Sequence, residues 1–205
     1  MEKIFKKLKE FQPNKKILVG VFLLLILAFS LFLKIYFPWN SFFQEHLRYA
    51  ADDGVYHMRL IENMLLGDHA PQKIYFDAFT YFPHGTYIHF APGYDYILAG
   101  IIWIASWGNP TLEIINKIAP FYPPVLATLA VFFTFLIGKN LWGNSVGLLS
   151  AFLLAISPSF VFRSVLGATD HHQAEVLYST LALFLLIMVF KNFENKRRRN
   201  CKQES

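Results

Sequence analysis

The sequence predicts an all-α integral membrane protein. Of its 205 residues, 55% are hydrophobic and 16% are charged, whereas soluble domains carry about 25% charged residues. A run without charged residues at positions 17–33 would be about 25 Å long as a helix, which is close to the thickness of a bilayer core. Basic residues flank the apolar segments at both ends of the chain, as the positive-inside rule requires of cytoplasmic ends.

The basic balance does not indicate a nucleic-acid partner. The net charge is +5, but six of the 19 Lys and Arg residues fall in residues 1–16 and six more in residues 191–205. These are two basic ends rather than one basic face, so a membrane surface is the expected partner. Cys201 is the single cysteine, which excludes a disulfide within the sequence.

The first span is predicted at residues 17–37. A secretory signal peptide is the alternative, because it also combines a basic start with an apolar core. The run is longer than a usual signal core, no small-residue cleavage site follows, and residues 34–39 have the composition of an aromatic interface belt. The preceding lysines place the N-terminus in the cytoplasm.

Residues 38–110 are predicted to form a long extracytoplasmic loop that contains short helices. Asp52 or Asp53 can cap a helix that begins near Gly54 and ends at Gly67, and capping alone is the simplest role for these acids. The apolar run at 97–107 has 11 residues, too few to span, and is predicted to be an interfacial or re-entrant helix. Counting it as a span would place the basic C-terminal tail outside.

Three further spans are predicted at residues 111–138, 145–163 and 173–191, with a short inner turn at 138–144. Four spans leave both termini in the cytoplasm. The two acidic clusters, at residues 51–57 and 167–175, then lie on the same extracytoplasmic side.

These clusters predict a divalent metal site. Ionisable groups at bilayer depth cost several kcal/mol and are functional candidates by default. Carboxylates of Asp53 and Asp170 would favour Mg or Mn, and the imidazole of His172 widens the choice to Zn. A cation there would neutralise a phosphate on an anionic, membrane-borne substrate, with Arg163 adding a fixed positive charge. The alternative is a capping box in which Asp170 is the N-cap and Gln173 the N3 residue of the last span.

Two motifs carry a resemblance to a known family. Residues 52–59 (Asp-Asp-Gly-Val-Tyr-His-Met-Arg) and 163–172 (Arg-Ser-Val-Leu-Gly-Ala-Thr-Asp-His-His) resemble the two acidic motifs of the oligosaccharyltransferase catalytic subunit family, in its archaeal type and bacterial relatives. Phe-Pro-His-Gly at 82–85 and Gly-Leu-Leu-Ser-Ala at 147–151 resemble that family too. The resemblance covers nearly the whole sequence, and its two motifs occur in the family's order.

The resemblance implies a GT-C fold and transfer of an oligosaccharide from a dolichyl or polyprenyl (di)phosphate carrier to Asn of an Asn-X-Ser/Thr sequon. It assigns metal binding and acceptor contact to Asp53, and the remaining metal ligands to Asp170 and His172. Arg163 matches a family arginine close to the reacting groups. Asp52 and His171 are secondary candidates. The metal is expected to be Mn or Mg, with Zn as an alternative, and the partners are a lipid-linked oligosaccharide and an acceptor protein.

The sequence departs from the family pattern in two ways. Ala51 stands where the family often has Gly. Residues 1–205 correspond to a single membrane domain, without the family's further spans, its outer-loop Glu or its soluble C-terminal domain with a Trp-Trp-Asp motif. The resemblance therefore implies an N-terminal part that is inactive alone, with a second chain as a possible source of the remainder.

Two alternatives to this function remain open. One is a non-catalytic membrane subunit whose acids and histidines serve structure or proton movement. The other is a different GT-C glycosyltransferase that uses a lipid-phosphate sugar.

Overall fold

The protein is described by a computed structural model over residues 14–43, 49, 52–67, 76–77, 80–87 and 92–203. Helices dominate this part of the chain. In order they are α1 (Lys15–Phe42), α2 (Asp52–Leu66), α3 (Gly93–Ala105), α4 (Leu112–Ile118), α5 (Tyr122–Trp142), α6 (Asn144–Ile156), α7 (Pro158–Phe162) and α8 (His172–Gln203). Two short strands, β1 (Phe76–Asp77) and β2 (Thr86–Tyr87), lie between α2 and α3.

Three helical stretches are long and apolar enough to cross a membrane: Lys15–Phe42, Leu112–Trp142 and His172–Asn200. The predicted helical membrane fold is therefore confirmed, while the count of four spans stays a prediction. The expected third span, 145–163, is divided into α6, of 13 residues, and α7. Ser157 between them is extended, with ψ 121°, because Pro158 disfavours helical geometry in the residue before it and cannot donate a helical hydrogen bond.

Several predicted boundaries shift in the structure. α1 continues past the expected end at 37 and includes Pro38. Helix α5 continues to Trp142, so the predicted inner turn at 138–144 contracts to Gly143, which has φ 97°. Pro120 lies in a 3₁₀ turn at Ala119–Phe121, between α4 and α5, and Pro123 and Pro124 lie in the first turn of α5. At these positions a missing N–H group costs least.

The core of the spanning region is centred on α5, which packs against α1, α6 and α8. Gly138 and Gly147 let α5 and α6 approach closely: a Cβ on Gly147 would lie 2.7 Å from the carbonyl oxygen of Phe135. Ala127, Ala130, Ala151 and Ala155 are fully buried. Small residues at such crossings allow van der Waals packing between backbones, which drives helix association in lipid.

The short helices of the loop region pack on one another and form a small layer. α3 forms where the interfacial helix is predicted and packs on α2. α2 begins at Asp52, two residues before the expected start, and ends before Gly67 (φ 79°) as predicted. The strands pair antiparallel, with Phe76 opposite Tyr87. Sequence reasoning did not find these strands, because two residues are too few to give an alternating pattern.

Lys34 points into the bundle rather than into the predicted interface belt. Its side chain is fully buried, and Nζ donates to Ser30 Oγ at 2.7 Å. The ammonium also lies over the Phe160 ring, 5.2 Å from its centroid. A cation in a spanning helix is thus turned toward protein groups, which lowers the cost of removing it from water.

Candidate metal centre

The second acidic motif lies on a loop, residues 163–171, that two backbone hydrogen bonds and one close ring contact hold in place. Leu166 N donates to the Lys34 carbonyl at 2.9 Å, and Gly167 N donates to the Pro120 carbonyl at 3.1 Å. Gly167 has φ 81°, and a Cβ there would lie 2.3 Å from the Phe42 ring. Only glycine satisfies both the left-handed backbone and this close contact. The loop is therefore fixed against α1 and the turn that precedes α5.

Thr169 joins this loop to the first acidic motif. Its Oγ1 donates to the Gly54 carbonyl at 3.2 Å, and both residues are buried. A Cβ on Gly54 would lie 3.2 Å from the same hydroxyl oxygen. The first turn of α2 thus sits directly beside the loop that precedes α8.

Asp170 is the buried centre of a cluster of imidazoles. Only 3% of its side chain is exposed. His171 Nδ1 lies 2.8 Å and His57 Nε2 3.9 Å from Oδ1, while His172 Nε2 lies 3.4 Å from Oδ2. Within the described residues, neither carboxylate oxygen has a hydrogen-bond partner. A buried carboxylate in this condition is costly unless a cation neutralises it.

The capping alternative for Asp170 is wrong. Helix α8 begins at His172, and the backbone N–H groups of Ala174 and Glu175 donate to the His171 carbonyl at 2.9 and 3.1 Å. The side chain of Asp170 accepts no backbone hydrogen bond in the described region, and Gln173 Oε1 is likewise buried without a partner. The first turn of α8 therefore starts from the His171 carbonyl, and the Asp170 carboxylate does not cap it.

His57 and Asp95 complete the buried side of the cluster. His57 Nδ1 lies 2.7 Å from Asp95 Oδ1, and His57 Nε2 lies 3.0 Å from His171 Nδ1. His57 and Asp95 are 0% and 1% exposed. The sequence analysis selected neither residue. His57 could have been found, because it lies in the first motif, one helical turn after Asp53. Asp95 could not, because a lone acid before an apolar run is not a signal for a site.

Tyr94 closes this side of the site. Its ring centroid lies 5.1 Å from that of His57 and 5.3 Å from that of Tyr122. Burial raises the pKa of Tyr94, and the neighbouring Tyr122, Asp95 and Asp170 raise it further. The phenol therefore remains neutral beside the histidines.

The exposed side of the cluster carries Glu175, which is also absent from the predicted site. Its Oε2 lies 3.3 Å from His172 Nδ1, and its Oε1 lies 3.7 Å from His171 Nε2. Two sets of three side chains bring their ligand atoms within 4.8 Å of one another: His57, Asp170 and His171, and His171, His172 and Glu175. Mixed imidazole and carboxylate donors suit Zn or Mn.

Two other residues predicted for the site, Asp53 and Arg163, lie at the surface. Neither forms an ion pair or a side-chain hydrogen bond with the part of the chain that the structure describes. Asp52 opens α2, and its side chain lies outside the described residues. The structure thus brings Asp170, His171 and His172 together, and Asp53, which directly precedes the Gly54–Thr169 contact, belongs to neither of the two sets of close ligand atoms.

Comparison with known proteins agrees with the sequence motifs. Residues 18–198 match the family described as "Oligosaccharyl transferase STT3, N-terminal". The chain is 35% identical over 168 residues to dolichyl-phosphooligosaccharide-protein glycotransferase 3 of Archaeoglobus fulgidus, covering 80% of this chain and 19% of that protein. It is 32% identical to dolichyl-monophosphooligosaccharide–protein glycotransferase AglB of Haloferax volcanii, over 74% of this chain and 14% of that protein. The chain therefore spans less than a fifth of the length of either relative.

Solved structures of an Archaeoglobus fulgidus oligosaccharyltransferase have a similar fold. One, AglB with an inhibitory peptide and a dolichol-phosphate, is 32% identical with a TM-score of 0.77, covering 86% of this chain and 20% of that one. A complex with Zn and sulfate is 33% identical with a TM-score of 0.74, covering 83% and 21%. A third, tethered to an acceptor peptide with an NVT sequon, is 32% identical with a TM-score of 0.78, covering 87% and 21%.

Proposed function

Because the chain belongs to the oligosaccharyl transferase STT3 family, matching its N-terminal region, we propose that it provides the catalytic membrane part of an oligosaccharyltransferase. The reaction is metal-dependent transfer of an oligosaccharide from a dolichyl or polyprenyl (di)phosphate carrier to Asn of an Asn-X-Ser/Thr sequon. The remaining segments of the enzyme come from further sequence or from a second chain. The protein crosses the cell membrane four times, with both termini in the cytoplasm and the site outside.

The observation that carries this proposal is the state of Asp170. Its carboxylate is buried, lies 2.8 and 3.4 Å from two imidazoles, and accepts no hydrogen bond within the described region. This donor set fits a divalent metal better than a structural cap. A bound divalent ion would stabilise negative charge on the departing phosphate.

Different residues of the chain would have different roles around that ion. Asp170 and His172 would hold it, with Asp53 adding a ligand and orienting the acceptor amide. Asp53 is exposed on the first turn of α2, so it is free to meet an acceptor or further segments of the enzyme. Arg163, also exposed, would attract the anionic carrier. Asp52 and His171 are secondary candidates for the same site. Holding the acceptor amide and the lipid-linked oligosaccharide in the reacting geometry supplies a large part of the rate enhancement, because the amide is a poor nucleophile.

The molecules bound in similar solved structures support the substrate classes. One neighbour is a complex with a dolichol-phosphate, one with an NVT-sequon peptide and one with Zn and sulfate. Together they support a lipid-phosphate carrier, a sequon acceptor and a metal as partners of this chain.

The experiment is glycan transfer to a sequon peptide by the complete assembly that contains this chain, with and without Asp170→Asn. We expect loss of transfer on chelation, recovery on adding Mn, and at least a 100-fold loss in the variant. Asp77→Asn is the control, because Asp77 is a buried carboxylate that pairs with Arg59 elsewhere in the layer. Transfer that is unchanged by Asp170→Asn and by chelation would overturn the proposal.

A second function is favoured by one feature of the site. Asp95, His57, His171 and Asp170 form a continuous series of contacts between 2.7 and 3.0 Å, which is a geometry that can carry protons in a membrane protein. A non-catalytic subunit of this kind has no need of a metal. Titration of the purified chain with Mn separates the two functions, since saturable binding that Asp170→Ala removes supports only the transferase.

A further inference from the structure

We infer that His57 is an additional metal ligand, on the buried side of Asp170, and that Asp95 is the positioning residue that orients it. The inference rests on the metal site of the proposed function and assigns two residues that the predicted ligand set does not include. Three features support it: the tautomer of His57, the direction of its second ring nitrogen, Nε2, and the burial of the pair.

Asp95 determines which nitrogen of His57 is available. Its carboxylate lies 2.7 Å from His57 Nδ1, and a carboxylate acceptor places the imidazole proton on that nitrogen. Nε2 then presents a lone pair. Metal-ligating histidines usually donate their other N–H to a carboxylate or carbonyl in this way, which fixes the ring and raises ligand basicity.

The lone pair of His57 Nε2 faces the other donors of the cluster. It lies 3.9 Å from Asp170 Oδ1 and 3.0 Å from His171 Nδ1. Two atoms that are each about 2.1 Å from one ion can be separated by at most about 4.2 Å. Both distances are within that limit, so one ion can contact His57, Asp170 and His171 together, whereas His172 belongs to the second set of close ligand atoms.

Burial distinguishes this arrangement from a chance cluster of surface groups. His57, Asp95 and Asp170 are each at most 3% exposed, and both oxygens of Asp170 are buried without a hydrogen-bond partner in the described region. His57 comes from α2, Asp95 from α3 and Asp170 from the loop before α8. Three elements that are distant in sequence thus converge on one point, and each contributes a polar group.

A nitrogen ligand on the buried side has a chemical consequence. Imidazole favours Zn and other later transition metals, whereas carboxylate oxygens favour Mg and Mn. His57 should therefore raise affinity for Zn more than for Mn. Loss of the ring should shift metal preference toward Mn, which an indirect effect of a loosened fold would not do selectively.

The test measures Zn and Mn dissociation constants by isothermal titration on the chain in detergent micelles. Wild type is compared with His57→Ala, Asp95→Asn and Asp170→Asn, and with Asp77→Asn as the buried-carboxylate control. His57→Gln, which keeps more of the side-chain volume, is used as well in case His57→Ala does not fold. Pulsed electron paramagnetic resonance of bound Mn detects coupling to coordinated ¹⁴N.

We expect His57→Ala and His57→Gln to weaken Zn binding by about 10- to 100-fold, with a smaller change for Mn and a weaker ¹⁴N signal. Asp95→Asn should weaken Zn binding by about 10-fold while the ¹⁴N signal persists. The control should match wild type. If Asp170→Asn removes binding but the His57 and Asp95 variants keep wild-type constants, the inference is wrong and the proposed metal site stands. A wild-type chain that binds neither ion overturns both.

Discussion

Asp95 Oδ1 lies 2.7 Å from His57 Nδ1, and the two side chains are almost completely buried. This pair links α3 to α2 beneath the candidate metal centre. Removing one member leaves the other without its main partner in a low-dielectric environment, which is more costly than replacing both. The pair should therefore contribute to the stability of the layer as well as to the site.

We expect His57→Leu to lower the free energy of unfolding by about 3 kcal/mol, and the double variant His57→Leu/Asp95→Leu to recover part of that loss. Unfolding in detergent by chemical denaturant, analysed as a double-mutant cycle, measures the coupling. Effects of the two single variants that add to within about 0.5 kcal/mol would mean that the pair is not coupled.

The close contact between α5 and α6 leads to a second prediction. A Cβ on Gly147 would lie 2.7 Å from Phe135 O and 2.9 Å from Lys139 N, and these backbone atoms cannot move without separating the helices. Gly147→Ala should destabilise the chain by about 1–3 kcal/mol through overpacking. The melting temperature in detergent measures this effect. Gly20→Ala is the control, since a Cβ at Gly20 meets no atom within 4 Å, and an equal drop in both variants would contradict the packing argument.

Composition and the order of motifs were enough to predict the membrane class and the family. Both depend on signals that extend over many residues: long apolar runs, basic ends and two separated motifs. Local geometry was less predictable. Pro158 interrupts the expected third span, although the apolar pattern continues through it. Hydropathy reports composition and carries no information on where the helical hydrogen bonds stop.

The candidate site was predictable only where residues lie in a shared motif. Asp170, His171 and His172 are adjacent in sequence, so their proximity was expected. Asp95 enters the site because α3 packs on α2, a tertiary contact that no spacing in the sequence indicates. Asp170 also fitted a capping box in sequence. Only the structure excluded that role, because the His171 carbonyl accepts the first backbone bonds of α8 and the Asp170 carboxylate accepts none in the described region.

Thr169 gives a third prediction, because its hydroxyl connects the two acidic motifs. Thr169→Val keeps the shape and removes the bond to the Gly54 carbonyl, which should cost about 1 kcal/mol and slow glycan transfer in the complete assembly. Thr169→Ser should restore both. The matched control is Thr134→Val, whose hydroxyl bonds a carbonyl within its own helix, that of Ala130 at 2.9 Å. Equal loss of transfer in Thr169→Val and Thr134→Val would show that the link between motifs has no special role.

Glu62 on α2 gives a prediction of pH dependence. Burial raises the pKa of Glu62 above its ordinary value, so the folded state holds the proton more tightly than the unfolded state does. The resulting stabilisation is fully present below the ordinary pKa and is lost as pH rises through the higher folded pKa. Above that raised pKa the ionised carboxylate is a partly buried charge that opposes folding. The pKa of nearby Tyr49 is also raised, by burial first and by the charge of Glu62 second.

Glu62→Gln removes this charge at every pH. We expect the variant and wild type to melt at similar temperatures at pH 4, and the variant to melt progressively higher as pH rises to 8. Thermal unfolding in detergent across that range measures the difference, with Glu194→Gln, at an exposed position of α8, as the matched substitution. A Glu62→Gln difference that does not change with pH would mean that packing, and not ionisation, is altered at this position.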